Sequence, residues 1–281
     1  MFISIEEIDR LIKEDVPYID LTSWSLGIRE QFGEISYFSR EDIIVCGTEE
    51  VRMIFDRLNI TTKFFIPSGT NVKPGGKLIS GAGRGDCIHI AWKVGQNILD
   101  HCSGIATKTA NMVKAVKSVN PNIPVLTTRK GFPGTKALAI KAIMTGGAVP
   151  HRLGLSETIL IFKQHINYIG GMDALLGRIG ELKKESCEKK VIVEAQGFEE
   201  AEKLCRAGVD GVQFDKVPAG ELKEIIPKLK AGFGNVVFLA AGGINENNIV
   251  EYAKTNADGI VTTNLYSAKP SDIGVEINKS E

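Results

Sequence analysis

The chain has 281 residues, a length that allows one large α/β barrel or two domains. Hydrophobic residues make up 43% of it, which is enough for a sizeable core. Lysine and arginine together number 34, as do aspartate and glutamate. This balance argues against nucleic acid or a membrane surface as the main partner. Any anion-binding site must therefore be a local cluster of positive charge.

The first segment, residues 1–22, has the pattern of an amphipathic helix and not that of a signal peptide, because no basic stretch precedes a long apolar one. No apolar run reaches the length of a membrane span. The cysteines lack C-x-x-C spacing, which argues against a zinc site or a disulfide framework. They are Cys46, Cys87, Cys102, Cys187 and Cys205. We therefore expect a cytoplasmic protein with no membrane partner.

The following part, up to about residue 90, predicts short strands. Residues 34–42 and 61–69 alternate or cluster apolar residues between glycine, proline and serine. Residues 71–86, NVKPGGKLISGAGRGD, are rich in glycine and predict a hairpin in an antiparallel sheet. The stretch GGKLIS does not fit a phosphate-binding P-loop, which needs a lysine followed by serine or threonine after its second glycine.

From about residue 92 the pattern becomes helical. Apolar residues recur at helical spacing over 93–119, with a break expected near Gly104. A second helix is predicted over 133–147, with Pro133 near its start and Gly146 at its end. We expect one buried face on this helix. It is formed by Leu138, Ile140, Ile143 and Met144.

Six apolar strands then alternate with helices, which predicts a parallel sheet with right-handed crossovers. The strands are 124–128, 158–162, 190–195, 210–215, 235–243 and 258–263. Either a closed barrel or an open doubly wound sheet would suit this pattern. No G-x-G-x-x-G follows any of the strands, which argues against dinucleotide binding.

Polar residues cluster where these strands end, at the edge that carries the site in such folds. Each has an ordinary explanation as a helix cap, a tight turn or a solvated charge, but their convergence predicts a site. The set comprises Arg129, Lys130, His151, Arg152, Glu194, Asp215, Gly242 and Gly243, with Asn245 as the expected N-cap of the next helix.

The residue types in this set indicate a phosphorylated substrate bound with magnesium. The basic residues can hold phosphate or carboxylate groups. Glu194 and Asp215 supply the hard oxygens that Mg²⁺ prefers, and Gly242 and Gly243 let backbone N–H groups approach a phosphate. A Ser-His-Asp hydrolase is not indicated, since no G-x-S-x-G occurs. We take His151 as a substrate contact and His165 as structural.

Several motifs, in order over nearly the whole chain, resemble the quinolinate phosphoribosyltransferase (nicotinate-nucleotide pyrophosphorylase) family. They are EDVPYIDLT, SGIATKTA, TTRKGFPG, GGAVPHRLGLSETILI, VEAQGFEEAE, QFDKV, AAGGI and SAKPSDIG. Within the family, ETILIFKQH is similar to the ModD branch, whose members occur with molybdate transport systems, whereas the main branch carries Ile-Lys-Asp-Asn-His.

The resemblance implies an N-terminal α/β open sandwich domain, residues 1–105, and a C-terminal α/β barrel of the type II phosphoribosyltransferase kind, residues 106–265. A tail from about 266 to 281 would pack back on the first domain. It also implies phosphoribosyl pyrophosphate (PRPP), magnesium, and a homodimer or dimer-based hexamer with shared active sites.

The family's functional residues carry over onto the same strand ends. Glu194, Asp215 and Lys130 would be catalytic, and the two acids would also hold the metal. The expected substrate contacts are Arg129, Lys130, His151, Arg152, Lys93 and Phe162, and the expected phosphate contacts are Gly242 and Gly243.

Departures from the family pattern concentrate on the acceptor side. A family Glu-Arg pair, whose arginine grips a quinolinate carboxylate in the partner's site, is Trp92-Lys93 here, and lysine lacks the bidentate fork. A family lysine is Phe162, and Lys163 would point to the other face of a strand. On the phosphate side, a serine is Ala241 and a glycine is Thr262.

We therefore expect a PRPP-dependent transferase that uses a ring nitrogen of a less acidic aromatic acceptor and releases pyrophosphate. Phe162 and Trp92 could stack on that acceptor or simply pack. One alternative is a true carboxylating enzyme acting on quinolinate in NAD biosynthesis. Another is a non-catalytic phosphate or oxyanion binder linked to molybdate transport, against which the two carboxylates argue.

Overall fold

The computed structural model describes residues 3–280, and they divide into two compact units. The first comprises the residues up to 110, 132–147 and those from 266 onward; the second comprises 111–131 and 148–265. The expected tail thus belongs with the first unit, as does the helix predicted over 133–147. The domain boundaries at 105 and 265 remain a prediction.

The helices and strands, in chain order, are as follows. The helices are α1 (Ile5–Asp15), α2 (Leu21–Ser25), α3 (Thr48–Arg57), α4 (Gly85–Lys117), α5 (Lys136–Thr145), α6 (Lys163–Tyr168), α7 (Met172–Glu185), α8 (Phe198–Ala207), α9 (Ala219–Gly232) and α10 (Ile249–Ala253). The strands are β1 (Phe32–Ser39), β2 (Ile43–Ile44), β3 (Thr61–Phe65), β4 (Asn71–Val72), β5 (Lys77–Arg84), β6 (Val125–Thr127), β7 (Val149–Pro150), β8 (Ile159–Ile161), β9 (Val191–Ala195), β10 (Gly211–Asp215), β11 (Val237–Ala241), β12 (Gly259–Thr262) and β13 (Ile273–Lys279).

The first unit is built on an antiparallel sheet of order β13-β1-β5-β3. Its core includes Tyr37, whose ring is fully buried and whose hydroxyl donates to the carbonyl of Ala91 at 2.9 Å. The antiparallel pairing predicted for residues 71–86 is confirmed, but the hairpin is wrong, because β4 pairs with β2 whereas β5 pairs with β1 and β3. The bend after Val72 therefore joins two sheets.

Helix α4 is continuous through Gly104, so the break expected there does not occur. A Cβ on Gly104 would lie 2.1 Å from the carbonyl oxygen of Lys269. The glycine is thus required by a crossing chain that approaches the helix, and the backbone keeps its helical path because glycine alone weakens a helix without ending it.

The second unit is a parallel sheet of order β7-β6-β12-β11-β10-β9-β8, an open half-barrel, and it contains all six predicted strands. The seventh strand, β7, has only two residues, too few for a pattern to show. Buried apolar residues fill the inner face. They are Ile192, Leu239, Ala241 and Val261, with Leu126, Leu160 and Val237 packed against them. Because side chains alternate along a strand, Glu194 lies on the same face as Ile192.

Two details of the predicted helices differ. Helix α5 begins at Lys136, after the Pro-Gly turn, and Met144 is 51% exposed instead of sharing the buried face. The N-cap of α10 is Asn248, whereas Asn245 forms a turn in which its side chain accepts from the N–H of Asn247. Among the described residues no helix is both long and apolar enough to cross a membrane.

Candidate active site

The two predicted acids lie at the carboxyl end of the parallel sheet, on its inner face. Glu194 on β9 stands directly opposite Gln213 on β10, and Asp215 follows two residues after Gln213. Since the side-chain period of a strand is two, all three side chains point to the same face. The apolar cluster of the same face lies beneath them, so the polar groups form the floor of the site.

The acids interact with each other and with two lysines. Burial raises the pKa of Glu194, and the nearby carboxylate of Asp215 raises it further, while Lys130 and Lys216 act in the opposite direction. Lys130, a predicted catalytic residue, is therefore within electrostatic reach of Glu194. Lys216 has a φ of 61°, a conformation that is uncommon outside glycine and that recurs at functional sites.

The predicted glycine turn lies against the acid pair. Gly242 has a φ of 86°, and a Cβ there would come within 2.6 Å of an Asp215 carboxylate oxygen and 2.5 Å of the backbone nitrogen of Lys216. Gly243 has a φ of 72° and open space where its Cβ would be. Glycine is thus required at 242 by close approach and at 243 by conformation. The turn leaves room for a ligand beside Gly243.

The cations form a second cluster. Arg152 is only 9% exposed, donates to the carbonyl of Thr158 at 3.3 Å, and makes no salt bridge within residues 3–280. Burial lowers its pKa, and the charge of Arg129 lowers it further, while the carboxylate of Glu157 acts in the opposite direction. A buried guanidinium without a salt bridge is costly, and an anionic ligand would reduce that cost. This cluster is therefore suited to binding a negative group.

A cavity of about 660 Å³ opens beside this cluster. Aliphatic side chains and the rings of Phe162 and His165 form much of its lining. The hydroxyl of Thr158, which also lines it, is buried and has no hydrogen-bond partner in the described part of the chain. The charged residues of the lining are Arg129, Arg152, Arg178, Lys189 and Glu157. The cavity thus combines apolar walls with more cations than anions, which suits a ring with an anionic substituent.

Phe162 lies at the start of α6, and its ring stacks on that of His165 with centroids 5.7 Å apart. The N–H of Phe162 donates to Nδ1 of His165 at 3.0 Å, so His165 holds the helix start, which fits the structural role predicted for it. The expectation that Lys163 continues a strand is wrong, because Lys163 is the first residue of α6 and is exposed. A ring pair occupies the position where a cation was expected from the family pattern.

Lys93 belongs to the first unit, in the middle of α4. Its ammonium lies 4.6 Å from the centroid of the Trp92 ring and donates to the side chain of Gln96 at 3.1 Å. Trp92 packs against the core of that unit. The role of Lys93 as a substrate contact remains a prediction.

His151 meets the acid side of the site through a residue that the sequence patterns did not single out. Its Nε2 lies 3.1 Å from the side-chain oxygen of Gln213, whose amide nitrogen lies 3.4 Å from a Glu194 carboxylate oxygen. Burial lowers the pKa of His151, and Arg152 adds to this effect. Gln213 and Lys216 both belong to the motif QFDKV. The signal that could have identified Gln213 is that it is a polar residue inside an apolar strand.

The site defines the class of protein: an α/β half-barrel whose strand ends combine paired acids, a glycine turn, a buried arginine and an exposed one, a combination suited to an anionic ligand. The family model "Quinolinate phosphoribosyl transferase, C-terminal domain" matches residues 105–276, and the corresponding N-terminal domain matches 20–103. The chain belongs to the quinolinate phosphoribosyltransferase family, and it is accordingly a glycosyltransferase of the pentosyltransferase class.

Relatives cover nearly its full length. A ModD protein from Pasteurella multocida is 34% identical over 279 residues, which are 99% of each chain. A ModD protein from Rhodobacter capsulatus is 37% identical over 85% of this chain and 91% of its own. The solved nicotinate-nucleotide pyrophosphorylase from Ehrlichia chaffeensis is 25% identical with a TM-score of 0.88, covering 99% of this chain and 100% of its own. The expected resemblance is confirmed.

Proposed function

We propose that the protein transfers the phosphoribosyl group of PRPP to a ring nitrogen of an aromatic acceptor and releases pyrophosphate. The acceptor is a heterocycle that carries fewer carboxylates than quinolinate. The proposal rests on two features that occur together. One is an acid pair flanked by lysines and a glycine turn, and the other is an acceptor cavity with an aromatic ring at position 162.

The phosphate half of the site supports PRPP. The space where a Cβ of Gly243 would lie is open, so a phosphate could approach this turn, and Lys130 provides a cation close to the acids. Glu194 and Asp215 offer oxygens to ribose hydroxyls. As the bond between the ribose carbon and pyrophosphate breaks, its electron pair leaves with pyrophosphate, and these carboxylates offset the positive charge on the sugar.

The acid pair also fits magnesium. The carboxylate of Asp215 raises the pKa of Glu194, and a divalent cation between the two would relieve this repulsion. Mg²⁺ prefers one or two protein carboxylates plus substrate phosphates. Glu194 and Asp215 would hold the ion, which when bound supplies charge neutralisation on the pyrophosphate.

The acceptor half supports a ring with one negative substituent. Arg152 is buried and makes no salt bridge among residues 3–280, although the carboxylate of Glu157 interacts with it, so an anionic group of the acceptor would complete its coordination. At position 162 a second carboxylate would meet the stacked rings of Phe162 and His165 in place of a cation, which disfavours it there, although Arg178 and Lys189 also line the cavity. The protein then contributes chiefly by orienting the ring nitrogen toward the ribose carbon.

Two alternatives remain testable. Action on quinolinate would place the protein in NAD biosynthesis and would make it a nicotinate-nucleotide pyrophosphorylase, as the Ehrlichia chaffeensis protein is called. Binding of a free oxyanion without catalysis is disfavoured by the carboxylates of Glu194 and Asp215, which would repel it. We further expect a homodimer, or a hexamer built from such dimers, in which Lys93 reaches the partner's acceptor cavity.

The deciding experiment measures pyrophosphate release from PRPP and magnesium with quinolinate and, separately, with a panel of nitrogen heterocycles. We expect release with a heterocycle that has one carboxylate or none, and loss of at least about 100-fold in Glu194→Gln. Glu199→Gln, an exposed change on α8, is the matched control. Release with quinolinate alone would assign the NAD-pathway reaction, and absence of PRPP binding would overturn the proposal.

A further inference from the structure

Gln213 is an unusual residue for the interior of a parallel sheet. It is 5% exposed, and its strand neighbours Val212 and Phe214 are fully buried. A buried amide is stabilised only when its hydrogen bonds are satisfied, so the position would ordinarily favour an apolar side chain. Phe214 points to the opposite face, where it stacks on Phe238 with ring centroids 6.3 Å apart.

The contacts of Gln213 join the two halves of the site. On one side its amide nitrogen lies 3.4 Å from Glu194, an acid on the phosphate side. On the other side its oxygen lies 3.1 Å from Nε2 of His151, close to the cation cluster of the acceptor side. In the described chain Gln213 is thus the bridge by which an acid contacts the histidine.

The bridge has a direction that follows from donor and acceptor rules. An ionised Glu194 can only accept, so it selects the NH₂ end of the Gln213 amide. The amide oxygen must then face His151, and Nε2 must carry a proton in order to donate to it. Burial favours the neutral ring, in which one nitrogen alone is protonated.

We propose that Gln213 is a positioning residue that fixes His151 as the Nε2–H tautomer and aligns it with Glu194. This inference rests on the proposed function, since it assigns His151 to the acceptor side of the same reaction. A neutral His151 leaves Arg152 and Arg129 as the groups that neutralise the acceptor.

Two variants separate the two hydrogen bonds. Gln213→Met keeps the length of the side chain and removes both bonds. Gln213→Glu can still accept from Nε2 of His151, but it can no longer donate to Glu194 and adds a negative charge beside it. Phe214→Leu, one residue along on the opposite face, is the control for packing because it leaves both bonds intact.

The first measurement is the ¹⁵N NMR spectrum of protein labelled on its histidine rings, with His151→Asn used to assign one of the four histidines. We expect an Nε2–H signature for His151 in the parent, in Phe214→Leu and in Gln213→Glu, and a shift toward mixed tautomers in Gln213→Met. This readout needs neither substrate nor turnover, so it stands even if the proposed reaction fails.

Kinetics provide the second measurement. We expect Gln213→Met to lower kcat/KM for the acceptor about 10- to 100-fold, the range for residues that orient a contact residue, and Gln213→Glu to raise mainly the KM for PRPP. On a His151→Asn background, Gln213→Met should have little further effect on the acceptor. An unchanged His151 signal in Gln213→Met, or a kcat/KM within about twofold of the parent, would overturn the inference.

Discussion

We propose that the side chain at position 162 limits how much negative charge the acceptor can bring into the cavity. Its ring stacks on His165 and lines the same cavity as Arg129 and Arg152. Phe162→Lys would place an ammonium beside these arginines. We expect this variant to improve the kcat/KM for dicarboxylates such as quinolinate by at least about 10-fold, since a charged hydrogen bond contributes about 1.5–3 kcal/mol.

The comparison that isolates charge from shape is Phe162→Leu, which removes the ring stack without adding a cation. We expect Phe162→Leu to weaken the preferred acceptor without improving quinolinate, as judged by kcat/KM on both. If Phe162→Lys and Phe162→Leu had the same effect on dicarboxylates, the side chain at 162 would be packing only and would not select the acceptor.

At the level of single residues, sequence could predict those groups that stand at strand ends. Glu194 and Asp215 were identifiable because each terminates a run of apolar residues whose end must reach the edge of the sheet. Gln213 was not, since one polar residue within an apolar strand does not reveal its partners. Its bonds join β10 to His151, which is 62 residues away in the chain.

At the level of elements, helix α4 shows that helix propensity alone does not set whether replacing a glycine by alanine stabilises or destabilises the protein. In a helix interior, glycine to alanine ordinarily stabilises by about 0.5–1 kcal/mol. At Gly104 the new Cβ would lie 2.1 Å from the carbonyl of Lys269, a contact that requires a backbone shift. We expect Gly104→Ala to destabilise by about 1–3 kcal/mol, measured by urea denaturation.

Helix α7 provides the counterpart, because Gly177 also lies within a helix but has no atom within 4 Å of where its Cβ would be. We expect Gly177→Ala to stabilise by about 0.5–1 kcal/mol in the same measurement. Opposite signs for the two substitutions would establish the crossing chain as the cause. Stabilisation by both would mean that the residues around Lys269 move away without cost.

The elements that sequence misjudged share one physical reason: a distant part of the chain decided them. Gly104 was expected to break a helix, and the hairpin over 71–86 was expected from local turn residues. In both cases contacts remote in sequence determine the path, through Lys269 in the first and through the pairing of Val72 with Ile43 in the second. Periodic strands and helices were predicted well because burial of one face is a local pattern.

At the scale of the whole molecule, the positive and negative charges balance, and some of them form a buried ionic cluster in the first unit. Lys141 on α5 donates to Glu49 and Glu50 on α3 at distances of 2.8 Å, and Glu49 also accepts from the N–H of Ser68. The side chains of Lys141 and Glu50 are 12% and 3% exposed. A cluster of this kind makes the stability of the unit that contains it depend on pH.

The sign of that dependence follows from Glu49. Burial opposes its ionisation, but the hydrogen bonds from Lys141 and Ser68 outweigh burial and hold its pKa at about 2, below the ordinary 4.5. A carboxyl with a depressed pKa in the folded state contributes stability that is complete above about pH 4.5 and is lost as the pH falls toward about 2. The first unit should therefore lose stability through this acidic window.

Fluorescence can follow this unit because both tryptophans, Trp24 and Trp92, belong to it. We expect the midpoint of urea unfolding to fall as pH drops from about 4.5 toward 2. Glu49→Gln should flatten that dependence and lower stability at pH 7 by about 1 kcal/mol, a figure reduced for the partial exposure of the carboxylate. Glu276→Gln, an exposed change on β13, is the control and should match the parent. Glu49→Gln removes the titrating group at this position but keeps a side chain that can still accept hydrogen bonds from Lys141 and Ser68. An equally steep loss of stability in acid in this variant would therefore show that other carboxylates govern the pH dependence.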